Sequence, residues 1–279
     1  MISAAPSKWG DLMVRTASAA VLIPIIIAAI WFGGVCYLVF IGLLSCLIAH
    51  EWSTIVHPGN QIQYALHLAA AACGTVLTTR YGAEISVSAI LAITLISGML
   101  VRFGDNPSSK WSYFGICYVG FPAIAFALLR QDPNYGFAAI LWIFLIVWSA
   151  DILAYFAGRI IGGPKLAPRI SPKKTWAGLA GAIVGSALAS LVFSHFMNLG
   201  GGLILALLAG VLAIVEQGGD LFESSLKRFY GVKDSGRLIP GHGGVIDRVD
   251  GLIVVAVVAV LIGMSHGQSL GAAKGLLLW

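Results

Sequence analysis

Residues 16–49 read TASAAVLIPIIIAAIWFGGVCYLVFIGLLSCLIA, an unbroken stretch without a charged side chain. About 20 helical residues cross the ~30 Å hydrocarbon layer of a bilayer, so this run is too long for one crossing. Gly33-Gly34 falls at its middle, where two residues without Cβ let the chain reverse. The run therefore predicts two membrane-spanning helices, at 14–32 and 35–55. Lys8 and Arg15 ahead of it resemble the start of a signal peptide. No small-residue cleavage site follows and the apolar run continues, so it is expected to remain as the first span.

The rest of the chain has the same character. Of its 279 residues 58% are apolar and 10% charged, with a mean hydropathy of +0.91, whereas soluble domains carry roughly a quarter charged residues. Too few polar side chains are present to cover a globular surface, a requirement that a bilayer removes. Further apolar segments lie at 63–79, 84–101, 112–130, 137–158, 178–197, 202–224 and 251–267. The expected fold is all-α: a polytopic integral membrane protein of about nine transmembrane helices, a single membrane domain over 1–279. Residues 1–150 supply N-terminal helices and 151–279 the helices and loops that carry polar chemistry.

With all nine segments crossing, 14 of the 17 Lys and Arg residues share one side, and only Arg80, Arg130 and Lys274 fall opposite. The positive-inside rule then predicts a cytoplasmic N-terminus, with the basic loops on the same side of an inner membrane. The net charge of +5 is thereby assigned to topology and anionic lipid rather than to nucleic acid. Cys36, Cys46, Cys73 and Cys117 all lie in apolar runs without a CxxC pair, which argues against metal or redox use. Gly181, Gly185 and Ala189 follow the small-xxx-small spacing of close helix pairs. Trp9, Trp31, Trp52, Trp111, Tyr113 and Trp176 are placed as interfacial belt residues.

Charge gathers in 224–250, SSLKRFYGVKDSGRLIPGHGGVIDRVD, between two apolar segments. Just upstream, Glu216, Asp220, Glu223, Ser224 and Lys227 recur at spacings of three and four and share one helix face. A carboxylate at membrane depth is costly unless paired, hydrated or bound to a cation, which makes Asp220 a candidate site residue; structural pairing with Lys227 or Arg228 is the alternative. In the loop that follows, Gly243-Gly244 after His242 would let backbone N–H groups approach an anion. Lys227, Arg228, Lys233, Arg237 and Arg248 offer further phosphate contacts. Asp247 and Asp250, one helical turn apart, are able with Asp220 to hold Mg²⁺, an ion that prefers a few carboxylates plus phosphate oxygens. Carboxylates and cations in one place suit a metal–nucleotide polyphosphate complex; a solvated loop is the plain alternative.

A second basic loop reads Ile170-Ser171-Pro172-Lys173-Lys174-Thr175-Trp176. Ser171 suits a helix N-cap and Pro172 the first helical position, which predicts that both lysines lie in the first turn. Cations there oppose the helix dipole and make sense around a bound anion, or else they only set topology. Asp151, Tyr155 and Arg159 share a face of the preceding span, with Asp151 either a metal-site residue or a lysine partner.

Ser224, Lys227-Arg228, Lys233-Asp234, Gly236, Ile239-Pro240, His242-Gly243-Gly244, Asp247-Arg248 and Asp250 together resemble, without a gap, the signature of phosphatidate cytidylyltransferases, the CDP-diacylglycerol synthases. Residues 151–178 resemble the second marked region of that family, and the first 150 residues match it mainly in hydropathy. The resemblance implies transfer of CMP from CTP to phosphatidic acid. It implies Asp220, Asp247 and Asp250 as carboxylates for one or two Mg²⁺ ions, with a monovalent cation as a further candidate. Ser171, Lys173, Lys174, Lys227, Arg228, Lys233, His242, Gly243, Gly244 and Arg248 would bind phosphate, and Ser224 and Asp234 complete the catalytic set. The partners implied are CTP, phosphatidic acid and the lipid bilayer, with a homodimer left open and no nucleic acid. A CTP-dependent polyprenol kinase and an ion-coupled transporter are the alternatives.

Overall fold

Residues 8–102, 109–241, 243–267 and 271–279 are described by the computed structural model. The opening run forms α1 (Lys8–Phe32) and α2 (Gly34–Val56). The chain reverses where expected, with φ of 62° at Gly33 and 52° at Gly34. Arg130 stabilises this corner: its Nε donates to the Ile30 carbonyl at 3.1 Å, satisfying an acceptor at the end of α1. A Cβ on Gly33 would collide with that guanidinium.

The chain continues through α3 (Gln61–Ala72), a π-helical segment (Cys73–Leu77) and α4 (Thr78–Tyr81). Then come α5 (Ala83–Arg102), α6 (Ser109–Gln131) and α7 (Gly136–Ile160). A hairpin of β1 (Lys165–Ala167) and β2 (Ser171–Thr175) leads to α8 (Trp176–Phe196), α9 (Gly202–Phe229), α10 (Ile246–His266) and the short α11 (Ala272–Leu277). Among the described residues the protein is all-α apart from that hairpin, and it is a polytopic membrane protein. Among the described residues seven helices, α2 and α5 to α10, are long and apolar enough to cross a membrane. The expected count of nine is not reached by this measure. The apolar part of α1, Thr16–Phe32, is shorter than the others, and the third predicted span is divided by its π-helical segment. That division falls where Gly74 lies against Gly120 and Ala123 of α6, so close that a Cβ would clash.

Residues 171–175 correct a second expectation. They form a strand rather than the first turn of a helix, antiparallel to β1 with Lys165 opposite Thr175 and Ala167 opposite Ser171. Pro172 has no N–H to donate and is tolerated on such an edge. The N-cap of α8 is Thr175, not Ser171: its hydroxyl accepts from Gly178 N at 3.0 Å. Strand geometry sends consecutive side chains to opposite faces, so Lys173 is exposed while Lys174 turns inward.

Helix packing follows the small residues. Gly181 and Gly185 of α8 sit against Leu153 and Ala157 of α7 with no room for a Cβ, and Trp142 Nε1 donates to Ser190 Oγ at 2.8 Å across the same pair. Trp52, expected in the interfacial belt, is fully buried against Tyr118 of α6, with ring centroids 4.9 Å apart. The apolar tail folds back: α11 is buried against α10, and Trp279 stacks on His266 at 3.7 Å. Ser18, near the middle of α1, meets the loop between α9 and α10, its Oγ donating to the Pro240 carbonyl at 2.8 Å. That end of the bundle holds the polar centre.

Candidate active site

Helix α9 carries the polar face into the bundle. Asp220 and Ser224 lie one turn apart, and Ser224 Oγ donates to Asp220 Oδ1 at 3.2 Å. The other oxygen, Asp220 Oδ2, is 2.7 Å from Lys174 Nζ. The pairing of Asp220 with Lys227 or Arg228 left open by the sequence is thus replaced by a bridge from β2 to α9, which brings the two basic loops together. Lys227 lies further along, with Nζ 2.7 Å from both Glu223 Oε2 and Asp247 Oδ1. One cation therefore ties α9 to the first turn of α10.

Asp247 is fully engaged. Beyond Lys227, its oxygens accept from Ser235 N at 3.0 Å and from Gly244 N at 2.8 Å. The Gly243 N–H donates to the Ile239 carbonyl at 3.1 Å. The two amides expected to face an anion are therefore satisfied by the loop and the first turn of α10. Gly244 permits a crowded junction in which a Cβ would run into Ser235, Gly236 and Glu51.

Asp250 has a different setting. It accepts from Gly251 N at 2.8 Å and lies within electrostatic reach of Asp220, Asp151 and Lys174. Glu216, buried and bonded to Gln217 Nε2 at 2.7 Å, interacts with Asp151, Asp220 and Lys174 as well. Four carboxylates, Asp151, Glu216, Asp220 and Asp250, share the field of Lys174, with Arg248 also acting on Asp151; the carboxylates outnumber these two cations, which favours a bound cation. Among the described residues no three acidic, His or Cys groups are already arranged as a metal-binding set. Asp220 and Asp250 fit a divalent ion by donor type and surroundings, while Asp247 would have to give up Lys227 to join them.

Lys173 on β2, Arg228 in the last turn of α9, Lys233, Asp234 and Arg237 on the loop after it, and Arg248 in the first turn of α10 are exposed, and Ser171 is half-buried in β2. His242 lies outside the described residues. On the apolar side Phe222 of α9 packs on Trp111, Phe114 and Tyr118 at centroid distances of 5.7, 5.9 and 5.7 Å. Trp111, expected in the belt, helps to wall the centre instead.

The sequence reading missed Glu51 on α2. Its side chain is buried and accepts from Val245 N, Ile246 N and Ser235 Oγ at 2.8, 2.8 and 2.9 Å. The signal was present, since the rule that singles out Asp220, a carboxylate inside an apolar span, applies equally to Glu51.

Fold and site together define an integral membrane protein with a polar centre where carboxylates at the bundle end meet two cationic loops. A model of the cytidylyltransferase family matches residues 13–265, which include the whole centre. The chain belongs to that family. It is 40% identical over 256 residues to the phosphatidate cytidylyltransferase of Brucella abortus biovar 1 (strain 9-941), covering 91% of this chain and 93% of the relative. It is 34% identical over 251 residues to the protein of the same name from Staphylococcus epidermidis (strain ATCC 35984), covering 87% and 95%. The Rickettsia bellii (strain RML369-C) phosphatidate cytidylyltransferase is 38% identical over 179 residues, covering 60% of this chain and 76% of the relative.

Proposed function

We propose that this protein is a phosphatidate cytidylyltransferase, which transfers the cytidylyl group of CTP to phosphatidic acid and yields CDP-diacylglycerol and diphosphate. The match over nine-tenths of the chain to a protein of that name carries the reading. The Lys174–Asp220 bridge supports it by joining both charged loops at one place.

In this reaction a phosphate oxygen of the lipid attacks the α-phosphorus of CTP. A new P–O bond forms, the bond from the α-phosphorus to the bridging oxygen breaks, and diphosphate leaves with that oxygen. The attacking phosphate is already anionic, so no general base is needed. The barrier lies in repulsion between anions and in charge developing on the diphosphate. Lys173, Arg228, Lys233, His242 and Arg248 clamp phosphates, and Lys174, close to Asp220, serves the same anions. Asp220 and Asp250 would hold Mg²⁺, one or two ions, with a monovalent cation as a further candidate and Asp247 a third carboxylate only if released from Lys227. Bound there, the metal supplies charge neutralisation for the polyphosphate. Ser224 orients Asp220, and Lys227 with Asp247 fixes the α9–α10 junction.

The reading places a single membrane domain in a bacterial inner membrane with the N-terminus and both basic loops in the cytoplasm. The contact between Ser18 and Pro240 supports the shared side. A homodimer belongs to the same proposal, to be read from the mass of the detergent-solubilised protein.

Labelled CTP tests the chemistry. Purified protein given CTP, phosphatidic acid and Mg²⁺ is expected to place α-phosphate label in lipid. Label entering lipid only from the γ-phosphate overturns the proposal in favour of a lipid kinase. Ion movement in vesicles without CDP-lipid formation favours a transporter.

A further inference from the structure

We infer that Glu51 of α2 is a positioning residue for the transfer reaction, holding the Ser235–Asp247 segment in the arrangement that places Lys227 and Asp247. The inference rests on the activity proposed above and adds a role for the N-terminal helices.

The geometry is that of a carboxylate capping a helix from another part of the chain. The N-cap of α10, Val245, has no side chain able to accept a hydrogen bond. A helix start leaves several amides without intrahelical partners. Glu51 takes two of them, Val245 N on Oε1 and Ile246 N on Oε2, each at 2.8 Å. Negative charge is also favoured at that end of the helix dipole. The contacts join residues 194 and 195 positions apart in the chain.

Oε2 also accepts from Ser235 Oγ at 2.9 Å. That hydroxyl in turn accepts from Asp247 N at 3.3 Å, and Ser235 N donates to the Asp247 carboxylate. Asp247 holds Lys227. A continuous path therefore runs from α2 through Ser235 and Asp247 to α9. Both loop glycines make room for it, since a Cβ on Gly236 or Gly244 would collide with the Glu51 carboxyl. With its side chain buried and directed at backbone, Glu51 acts through Asp247 and Lys227 rather than on a substrate.

Glu51→Gln preserves the size but faces a donor NH₂ toward donor amides. Misplacing a site by about 1 Å costs up to ~10²-fold in rate. The test compares wild type, Glu51→Gln and Ser235→Ala in detergent, reading kcat and KM for CTP together with hydrogen exchange of backbone amides. Glu51→Gln is expected to lower kcat by roughly 10–100-fold with KM changed by less than about threefold. Exchange is expected to quicken at 244–248 and stay unchanged in α5 and α8. Ser235→Ala, which cuts the path and keeps the Glu51 charge, is expected to lower kcat by roughly three- to tenfold. The double variant should be no worse than about the stronger single, since both break one path.

A folded Glu51→Gln protein with wild-type kcat overturns the inference, as does uniform acceleration of exchange across all helices. If Glu51→Gln does not accumulate, Ser235→Ala decides, and an unchanged kcat there rejects the positioning role. Should the wild type make no CDP-lipid, the proposed activity fails by itself; the exchange comparison needs no substrate and still judges the cap.

Discussion

Replacing Lys227 by Met separates what this lysine does for the fold from what it does for chemistry. Its Nζ sits 2.7 Å from carboxylates on α9 and α10, and the Glu223 and Asp247 side chains are only 2% and 7% exposed. Removing one partner of a buried pair commonly costs ~3–5 kcal/mol, because the charge left behind is neither paired nor hydrated. Lys227 keeps 15% exposure and Asp247 retains two amide bonds, so the lower end, about 3 kcal/mol, is expected here. For a chain of this size that corresponds to a fall of roughly 5–10 °C in the unfolding midpoint.

Adding Glu223→Gln removes the buried carboxylate that has lost its cation, and at least half of the stability should return. Turnover should not return, because the cation that orders Asp247 is still missing. Thermal unfolding in detergent and CDP-lipid formation from labelled CTP read the two effects independently. A Lys227→Met protein that unfolds at the wild-type temperature refutes the buried-pair reasoning. Recovery of turnover in the double variant shows instead that Lys227 serves only to neutralise Glu223.

Asp247→Asn sets an NH₂ group against the donors Ser235 N, Gly244 N and Lys227. Leaving such donors unsatisfied costs about 1–3 kcal/mol; turnover should be abolished in a protein that still folds and inserts, and near-normal activity removes Asp247 from the site. Lys173→Ala with Lys174→Ala should raise the KM for CTP, and an unchanged CTP dependence returns the hairpin to a topological role. Gly244→Ala drives a methyl into Ser235 and Glu51, so the yield of folded protein should fall, and wild-type yield and activity would contradict the crowded junction. Chelation of divalent ions should stop CDP-lipid formation and added Mg²⁺ restore it; activity that survives exhaustive chelation argues against the assignment to Asp220 and Asp250.

Much of the architecture follows from local chemistry. An uncharged run of residues 16–49 interrupted by Gly33-Gly34 has few alternatives to two helices and a reversal, and both formed with the glycines at positive φ. The polar face of α9 is equally local: Asp220 and Ser224, or Glu223 and Lys227, meet because four residues make about one turn. The small residues Gly181 and Gly185 announce a close helix contact but not with which helix, and only the packing identifies α7.

Local signals failed where pairing with a neighbouring strand competed. Ser171-Pro172 is a good start to a helix in isolation, yet pairing with Lys165–Ala167 makes residues 171–175 a strand and passes the cap to Thr175. Lys173 and Lys174, adjacent in sequence, thereby acquire opposite surroundings, and one of them finds Asp220.

By itself the sequence determined that this chain lies in a membrane, where most of its helices run, which residues carry charge into the bilayer and which chemistry that charge suits. All of these depend on hydropathy and periodicity, properties of neighbouring residues. Tertiary structure alone decided the partners: Lys174 with Asp220, Lys227 between Glu223 and Asp247, and Glu51 at the start of α10 nearly two hundred residues away. Apolar helices are nearly interchangeable as neighbours when read one at a time. Which buried carboxylate meets which cation or amide is settled only when the whole bundle packs.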